Sequence, residues 1–229
     1  MKILKSVVLI CTLLISVSCN SSSKKADQIA VTSKKSIEIP EPSQQDLSNY
    51  ETAYFASGCF WCVEAIFESV KGIPEVVSGY AGGTEENPTY EQVGGGLTSH
   101  AEAVKVYYDP KVISFIELVQ VFFGSHDPTT LNRQGPDRGP QYRSVAFYKN
   151  EKEKQLIEGY IRALTEQNIY DGATITTEVT PFTKFYDAEE YHQDYEKKHP
   201  KNSYITNVSI PRLNRFKQNF GEYLKEKSH

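Results

Sequence analysis

Residues 54–70 read YFASGCFWCVEAIFESV, and the rest of the domain has to be arranged around this stretch. Its first four residues favour a strand, and the residues after Gly58 favour a helix with one apolar face, at Val63, Ile66, Phe67 and Val70. Cys59 is therefore predicted at the turn from a strand into a helix N-terminus, where unpaired N–H groups and the helix dipole favour an anion. A thiol there is expected to ionise more easily, and Cys62 follows one helical turn later.

The N-terminal residues predict an exported chain. Residues 1–18 carry two lysines and then an apolar run that is too short to span a membrane, as in a secretion signal. Small residues before Cys19 and a polar tail after it resemble a bacterial lipoprotein processing site, where Cys19 would be lipidated and hold the protein at the membrane of the cell envelope. A plain secretory signal is the alternative. Residues 19–50 predict a disordered tether, and residues 51–229 a single domain.

Charge and cysteine content exclude several classes of protein. The formal net charge is −4, and no basic patch argues for a nucleic-acid partner. Only Cys59 and Cys62 of the four cysteines lie in the predicted domain, which excludes a four-cysteine zinc site. Neither a dinucleotide-binding glycine motif nor a phosphate-binding loop is present, so no nucleotide cofactor is implied. We predict no metal site.

Strands and helices alternate along the predicted domain. Beyond residues 54–70, strands are predicted at 75–80, 101–108, 142–149 and 174–179, and helices at 115–124, after Asn150 and at 187–198. Residues 134–141 predict a loop, and the chain from His199 onward an irregular C-terminal tail. The alternating polarity of the strands favours an α+β two-layer sandwich whose sheet has one open face.

Cys59 and Cys62 form a C-x-x-C pair. A structural disulfide is one interpretation, but closing so short a loop adds only about 2 kcal/mol. A redox couple is the better interpretation. Phe60 and Trp61 lie between the two cysteines, so aromatic side chains would flank the reactive sulfur.

Glu102 is a candidate proton donor. It shares strand parity with Val104 and Val106, so its side chain is predicted to point toward the apolar face of the sheet. Lys105 has the opposite parity and cannot easily neutralise it. Burial without a cationic partner raises the pKa of a carboxyl group, and a Glu that is neutral near pH 7 can donate a proton. The alternative is a shifted register that leaves Glu102 as a solvated edge charge.

Other polar residues are less distinctive by themselves. Asp137 lies in a GPDRG segment and has the character of a turn residue. Tyr90 and Tyr142 are two of fifteen tyrosines. Three histidines lack the spacing of metal ligands and are predicted to be hydrogen-bonded structural residues: His100, His126 and His192.

Taken together, nine segments resemble peptide methionine sulfoxide reductase of the A type. They are GCFW at 58–61, GYAGG at 79–83, NPTY at 87–90, HAEAV at 100–104, HDPT at 126–129, GPDRG at 135–139, QYRS at 141–144, ITTE at 175–178 and YHQDY at 191–195. GCFW alone would be a weak signal, but this many segments in the family's order are highly specific. The resemblance implies a mainly antiparallel, ferredoxin-like α+β fold and reduction of the S epimer of methionine sulfoxide, free or in proteins.

The resemblance also implies roles for residues of this chain. Cys59 would attack the sulfoxide sulfur and Glu102 would protonate the sulfoxide oxygen. Five further residues would bind the substrate: Tyr90 and Tyr142 at the oxygen, Phe60 and Trp61 at the S-methyl group, and Asp137 at the methionyl backbone.

Oxidised Cys59 would be recycled by thiols. A nearby thiol converts a sulfenic acid to a disulfide, and an external reductant, a thioredoxin-like protein or dithiothreitol, then reduces it, with no cofactor. Many family members carry resolving cysteines in a C-terminal tail, whereas this chain has none after Cys62. Cys62 is therefore the predicted resolving cysteine.

Two competing hypotheses stay open at this point. A thiol–disulfide oxidoreductase would use the same C-x-x-C pair but needs no acidic Glu102. A non-catalytic envelope lipoprotein could bind a partner through exposed aromatic side chains, but it leaves the setting of Cys59 unexplained. Nothing in the sequence demands more than a monomer.

Overall fold

The computed structural model describes residues 46–226 of the 229-residue chain. Its strands and helices are β1 (Glu51–Ser57), α1 (Phe60–Glu68), β2 (Glu75–Ala81), α2 (Tyr90–Gly94), β3 (Ala101–Tyr108), α3 (Phe115–Gly124), β4 (Arg133–Gln134), β5 (Asp137–Arg138), β6 (Ser144–Tyr148), α4 (Glu151–Glu166), β7 (Glu178–Pro181), β8 (Phe185–Asp187), α5 (Tyr195–Lys198) and α6 (Ile210–Asn219). The predicted export signal, Cys19 and the tether up to residue 45 lie outside the described residues. Among the helices of residues 46–226, none is long and apolar enough to cross a membrane.

One six-stranded sheet organises the domain, with strands in the order β7-β6-β1-β3-β2-β8. Neighbouring strands are antiparallel except for the parallel pair β6 and β7, which confirms the α+β fold with a mainly antiparallel sheet. A separate two-residue hairpin joins β4 and β5. Because β1 and β3 are antiparallel, with Phe55 opposite Val104, the C-terminal end of β1 lies beside the N-terminal end of β3. Cys59 and Glu102 come from these two places.

The larger hydrophobic core lies between the sheet and the helices α1 and α3. Phe55 of β1 stacks against Phe67 of α1 and Phe122 of α3, with ring centroids 5.3 and 5.0 Å apart. All three side chains are fully buried. Each buried Phe contributes roughly 1.5–3 kcal/mol, so this stack fixes α1, and with it Cys59, to the centre of the sheet.

The opposite face of the sheet was expected to be open, and it is partly covered. Tyr54 of β1 stacks on Phe182 with ring centroids 3.7 Å apart, and Phe185 of β8 lies 5.6 Å from the same ring. Small side chains of β3, Ala101 and Ala103, complete this second cluster. Phe182 comes from the short link between β7 and β8, which has no periodicity in the sequence, and Phe185 is the first residue of β8.

The predicted helix starts are confirmed for α3 and α4. The carboxylate of Glu117 accepts a hydrogen bond from the Ser114 N–H at 2.7 Å and another from the Ser114 hydroxyl at 2.6 Å, and the first of these belongs to the capping box of α3. Asn150 Oδ1 accepts from the Glu153 N–H at 2.9 Å and caps α4.

Two predicted strands begin later than expected. The strand expected at 142–149 starts at Ser144, because Pro140–Tyr142 forms a turn of 3₁₀ helix. The strand expected at 174–179 is β7, Glu178–Pro181. The residues before it form a loop instead. This loop is held in place because both the N–H and the hydroxyl of Thr176 donate to the carbonyl of Pro128. The intrinsic preference of β-branched residues for strands is overridden by this tertiary contact.

The helix predicted at 187–198 is wrong for most of its length. Phe185–Asp187 pairs with β2 as strand β8, and Glu190–His192 forms a 3₁₀ turn. Asp194 has a φ of +53°, which interrupts any helix, so only the four residues of α5 follow.

The C-terminal tail, predicted to be irregular, contains a helix. A π-helical turn at Ile205–Ser209 leads directly into α6, whose Leu213 and Phe216 are buried in the main core. The spacing of Leu213, Phe216 and Phe220 is helical, and it is the signal that could have revealed α6.

Candidate active site

Gly58 makes the turn between β1 and α1. Its φ is +89°, and a Cβ atom there would lie 2.6 Å from the Cβ of Gln134, so glycine is required. Cys59 follows as the N-cap residue of α1 and is 6% exposed, while Cys62 in the first turn is 1% exposed. Both are free thiols. The predicted strand-to-helix junction at Cys59 is confirmed.

Glu102 points into the protein beside this junction. It is 1% exposed, and its Oε2 accepts a hydrogen bond of 3.0 Å from the backbone N–H of Phe60, the residue after Cys59. Lys105 lies on the other face of the sheet, where it pairs with Asp187 at 2.8 Å. The predicted orientation of Glu102 is confirmed, and the alternative of a solvated edge charge is wrong.

Burial keeps the carboxyl group of Glu102 protonated near neutral pH. Loss of solvation raises its pKa to about 8, although the Phe60 N–H partly opposes this shift. The negative charges of Asp137 and Cys62 raise the pKa further. Glu102 can therefore act as a proton donor at pH 7.

The helix N-terminus does not acidify Cys59, contrary to expectation. The first N–H of α1 donates to Glu102, and burial raises the pKa of the Cys59 thiol well above its ordinary value. The pKa of Cys62 is instead lowered to about 6, mainly by a hydrogen bond from the Cys59 thiol and also by the Arg212 charge. These opposite shifts favour a thiolate on Cys62 and a protonated thiol on Cys59.

Aromatic side chains form a wall next to the two thiols. Trp61 stacks on Tyr195 with ring centroids 3.7 Å apart, and its indole N–H donates to His192 Nδ1 at 3.1 Å. The rings of Phe60 and Tyr90 also contact His192, at 5.0 and 4.2 Å. Phe60, Trp61 and Tyr90 are predicted members of the site, whereas His192 and Tyr195 were not expected in this wall.

Tyr90 and Tyr142 lie near Glu102 and Cys59. Burial raises the pKa of Tyr90 to about 12 and also raises that of Tyr142, and ionisation of Glu102 or Cys59 adds to both shifts. Both hydroxyl groups are therefore protonated donors at neutral pH. Tyr90 is held at the start of α2 by its N–H, which donates to Glu189 at 2.9 Å.

Asp137 approaches the thiols from the β4–β5 hairpin. Its Oδ2 accepts a hydrogen bond of 2.6 Å from the hydroxyl group of Tyr204, and the Tyr204 oxygen lies 3.7 Å from the sulfur of Cys62. Tyr204 precedes the π-helical turn, so it was missed together with the C-terminal helix.

Arg212 of α6 is the second residue that sequence reasoning missed. It is 6% exposed, and its guanidinium donates to the carbonyl of Ser125 at 2.7 Å and to that of Ser57 at 2.9 Å. These bonds tie α6 to the turn that carries Cys59. A buried arginine was not predictable, because nothing in its local sequence distinguishes it from the exposed Arg215.

The three histidines have structural partners, as predicted. His100 Nδ1 accepts from the Gly83 N–H at 3.2 Å, His126 contacts the Phe122 carbonyl at 2.8 Å, and His192 holds Trp61. Within residues 46–226, one acidic group has the geometry for a cation, namely Glu64, Glu68 and Asp194. Its oxygens already accept from Ser78, from a backbone N–H and from Lys197, so it is satisfied internally.

Comparison with known proteins places this geometry in a family. The family model for peptide methionine sulfoxide reductase matches residues 51–224. A peptide methionine sulfoxide reductase of Rhodopirellula baltica is 49% identical over 175 residues, which cover 76% of this chain and 90% of the relative.

Solved structures agree with this match. Mxr1 from Saccharomyces cerevisiae in its reduced form has a TM-score of 0.63 at 36% identity and covers 69% of this chain and 91% of its own. Methionine sulfoxide reductase A of Corynebacterium diphtheriae has a TM-score of 0.61 at 36% identity, with 67% and 77% covered. The chain therefore belongs to the peptide methionine sulfoxide reductase family of the A type and is an oxidoreductase that reduces methionine sulfoxide.

Proposed function

We propose that the enzyme reduces the S epimer of methionine sulfoxide, free or in proteins, with Cys59 as the nucleophile and Glu102 as the proton donor. The observation that carries this proposal is the buried carboxyl group of Glu102, which is joined to the first N–H after Cys59 at 3.0 Å. The reaction needs a nucleophile for the sulfoxide sulfur and a proton for the oxygen, because sulfoxide sulfur is a weak electrophile unless its oxygen is protonated. The thiol of Cys59 and the neutral carboxyl group of Glu102 would supply both at one place.

The substrate would lie between the thiol and the aromatic wall. Tyr90 and Tyr142 stay protonated and would donate hydrogen bonds to the sulfoxide oxygen together with Glu102. Phe60 and Trp61 would hold the S-methyl group, since Trp61 is fixed by Tyr195 and His192.

Asp137 would bind the methionyl backbone. Its Oδ2 is engaged with Tyr204, which leaves Oδ1 for a backbone N–H of the substrate.

The first step transfers oxygen from the substrate to Cys59. The Cys59 sulfur attacks the sulfoxide sulfur while Glu102 protonates the oxygen, and the Cys59 thiol proton passes to the Cys62 sulfur, whose pKa is lowered by the Cys59 thiol. The sulfur–oxygen bond of the substrate then breaks and the oxygen bonds to the Cys59 sulfur. The transient bond between the two sulfurs breaks at the same time, so methionine leaves and Cys59 becomes a sulfenic acid. Two electrons move from Cys59 to the substrate sulfur.

Cys62 would then resolve the sulfenic acid and form a disulfide with Cys59. The two residues lie one helical turn apart at the start of α1, and no cysteine follows Cys62 in the chain. A thioredoxin-like dithiol would reduce the disulfide by thiol exchange, which returns both thiols and needs no bound cofactor.

The test is dithiothreitol-dependent reduction of the separated S and R epimers of a blocked methionine sulfoxide, with wild type beside Cys59→Ser. We expect loss of the S epimer alone and no reduction by Cys59→Ser. If the folded protein reduces neither epimer, the reductase proposal fails, and a thiol–disulfide oxidoreductase becomes the better interpretation of the C-x-x-C pair.

A further inference from the structure

A chain of hydrogen-bonding groups leads away from the sulfur of Cys62. The Cys62 sulfur lies 3.7 Å from the hydroxyl oxygen of Tyr204, and this hydroxyl lies 2.6 Å from Oδ2 of Asp137. A tyrosine hydroxyl has one proton, and an ionised carboxylate can only accept. The proton of Tyr204 therefore points at Asp137, and its oxygen is free to accept the proton of the Cys62 thiol.

The proposed function leaves this arrangement unused. In the first step Cys62 gains the proton of Cys59, so it is a thiol when Cys59 becomes a sulfenic acid. The thiolate is the nucleophile in disulfide formation, and Cys62 must lose that proton before it can attack. With a buried sulfur, 1% exposed, direct transfer to bulk water is hindered.

We propose that Asp137, through Tyr204, accepts the thiol proton of Cys62 in the step in which Cys62 attacks oxidised Cys59. This inference rests on the proposed function of the same site. Tyr204 is the group that touches the reacting sulfur, and Asp137 is the residue that acts through it.

The step balances in atoms and electrons. The Cys62 proton moves to the Tyr204 oxygen while the Tyr204 proton moves to Asp137 Oδ2. The electron pair of the Cys62 sulfur forms the bond to the Cys59 sulfur, and the Cys59 sulfur–oxygen bond breaks. The oxygen takes a proton from solvent and leaves as water, and Asp137 returns its own proton to solvent, so the net products are the disulfide and water.

The electrostatics of Asp137 and Arg212 suit this transfer. Burial raises the pKa of Asp137, which makes it a stronger base than an exposed carboxylate, while Tyr204 and Arg212 limit the shift. Arg212 is buried and donates to the carbonyls of Ser57 and Ser125. Its charge lowers the pKa of both Cys62 and Asp137, so it stabilises a negative charge at either end of the relay.

The experiment separates the two steps in a single turnover. Reduced full-length enzyme is mixed with one equivalent of blocked methionine S-sulfoxide without a reductant. Methionine release reports the first step, and mass spectrometry of the alkylated cysteine peptides reports disulfide formation. The variant is Tyr204→Phe, and the matched control is Tyr223→Phe, whose hydroxyl donates to Gln120 away from the thiols.

We expect Tyr204→Phe to slow disulfide formation at least about tenfold more than it slows methionine release. The defect should shrink as the pH rises, because hydroxide then removes the Cys62 proton without the relay. The charged or titratable groups that face Cys62 and Tyr204 are Cys59, Glu102, Asp137 and Arg212. Among these four residues, Asp137 is the proton acceptor of the relay. Its replacement is therefore the one expected to reproduce the slow disulfide formation of Tyr204→Phe.

Asp137→Asn and Asp137→Glu keep the test decisive if Tyr204→Phe does not fold. Because Asp137 also binds the substrate in the proposed function, its variants are compared by the rate of disulfide formation after methionine release. Asn cannot accept the proton and should slow this step, whereas Glu should restore part of its rate. The relay is overturned if Tyr204→Phe slows both steps equally, if neither Tyr204→Phe nor Asp137→Asn slows disulfide formation, or if the defect does not change with pH. Absence of methionine release from wild type would instead overturn the proposed function.

Discussion

Residues 51–108 and residues 174–226 both supply side chains to the thiol site, but they hold them by different means. The first region consists of β1, α1, β2, α2 and β3, whose strands are paired at the centre of the sheet, and it places Cys59 and Glu102. The second consists of short strands, single turns and α6, and it places His192, Tyr204 and Arg212. The reacting groups thus lie on the central strands and α1, whereas the groups around them come from short segments held by hydrogen bonds and from α6, which packs on the same core.

The largest effect should come from the first region. We expect Glu102→Gln to lower kcat/KM for the S-sulfoxide by about 10²–10⁴, the usual contribution of a general acid. The matched control is Glu64→Gln, because Glu64 is also a buried glutamate whose pKa burial raises to about 8. Glu64 bonds to Ser78 and to the Asp194 N–H, away from the thiols.

The pH profile adds a second readout for Glu102. Its carboxyl group must be protonated to donate, so kcat/KM should fall as the pH rises through about 8. The alkaline decline due to Glu102 should be missing in Glu102→Gln and retained in Glu64→Gln. Equal activity of the two variants would show that Glu102 is not the acid.

Cys62→Ser should separate reduction from recycling. We expect this variant to release about one equivalent of methionine in the absence of reductant, because Cys59 is intact, and to lose most turnover with a thioredoxin-like dithiol. Measurement of methionine with and without the dithiol protein checks both parts. Normal turnover with that donor would mean that the donor reduces the sulfenic acid directly.

The difference between the two regions also explains what the sequence could predict. Periodicity located β1, α1 and β3, and strand parity alone oriented Glu102, because those elements are long enough to show a period. Tyr204 and Arg212 could not be located in this way. Their approach to Cys62 depends on a π-helical turn and on tertiary hydrogen bonds from α6, and neither has a local sequence pattern.

The acidity of Cys59 was mispredicted for a related reason. A helix N-terminus favours an anion, and Cys59 occupies that position. Burial of its sulfur, however, raises the pKa, and the N–H at Phe60 is taken by Glu102, a partner 42 residues away in sequence. Only the folded chain reveals the burial and this contact.

The stability of the second region tests whether it belongs to the same folding unit. Phe216→Ala in α6 should lower the free energy of unfolding by about 3–5 kcal/mol, as Phe55→Ala should in β1, because both rings are buried in one core. Leu97→Ala, at a side chain that is 77% exposed, is the control and should change little. Urea unfolding would show a separate early transition for Phe216→Ala if the C-terminal region folded independently.

The smallest effect on catalysis concerns the N-terminal segment. We propose that Cys19 carries a lipid that anchors the enzyme at a membrane of the cell envelope, and we expect incorporation of labelled palmitate that Cys19→Ser abolishes. The variant should keep its activity in solution, because residues 51–226 hold every residue of the proposed site. Labelling that persists in Cys19→Ser would contradict lipidation at this residue.

Trapping of the oxidised nucleophile tests the central claim most directly. Cys62→Ser is mixed with one equivalent of blocked methionine S-sulfoxide and then with dimedone, which reacts with sulfenic acids, and the cysteine peptides are analysed by mass spectrometry. We predict dimedone on Cys59 in proportion to the methionine released, with Glu102→Gln in the same background suppressing both. Methionine release without modification of Cys59 would contradict the account.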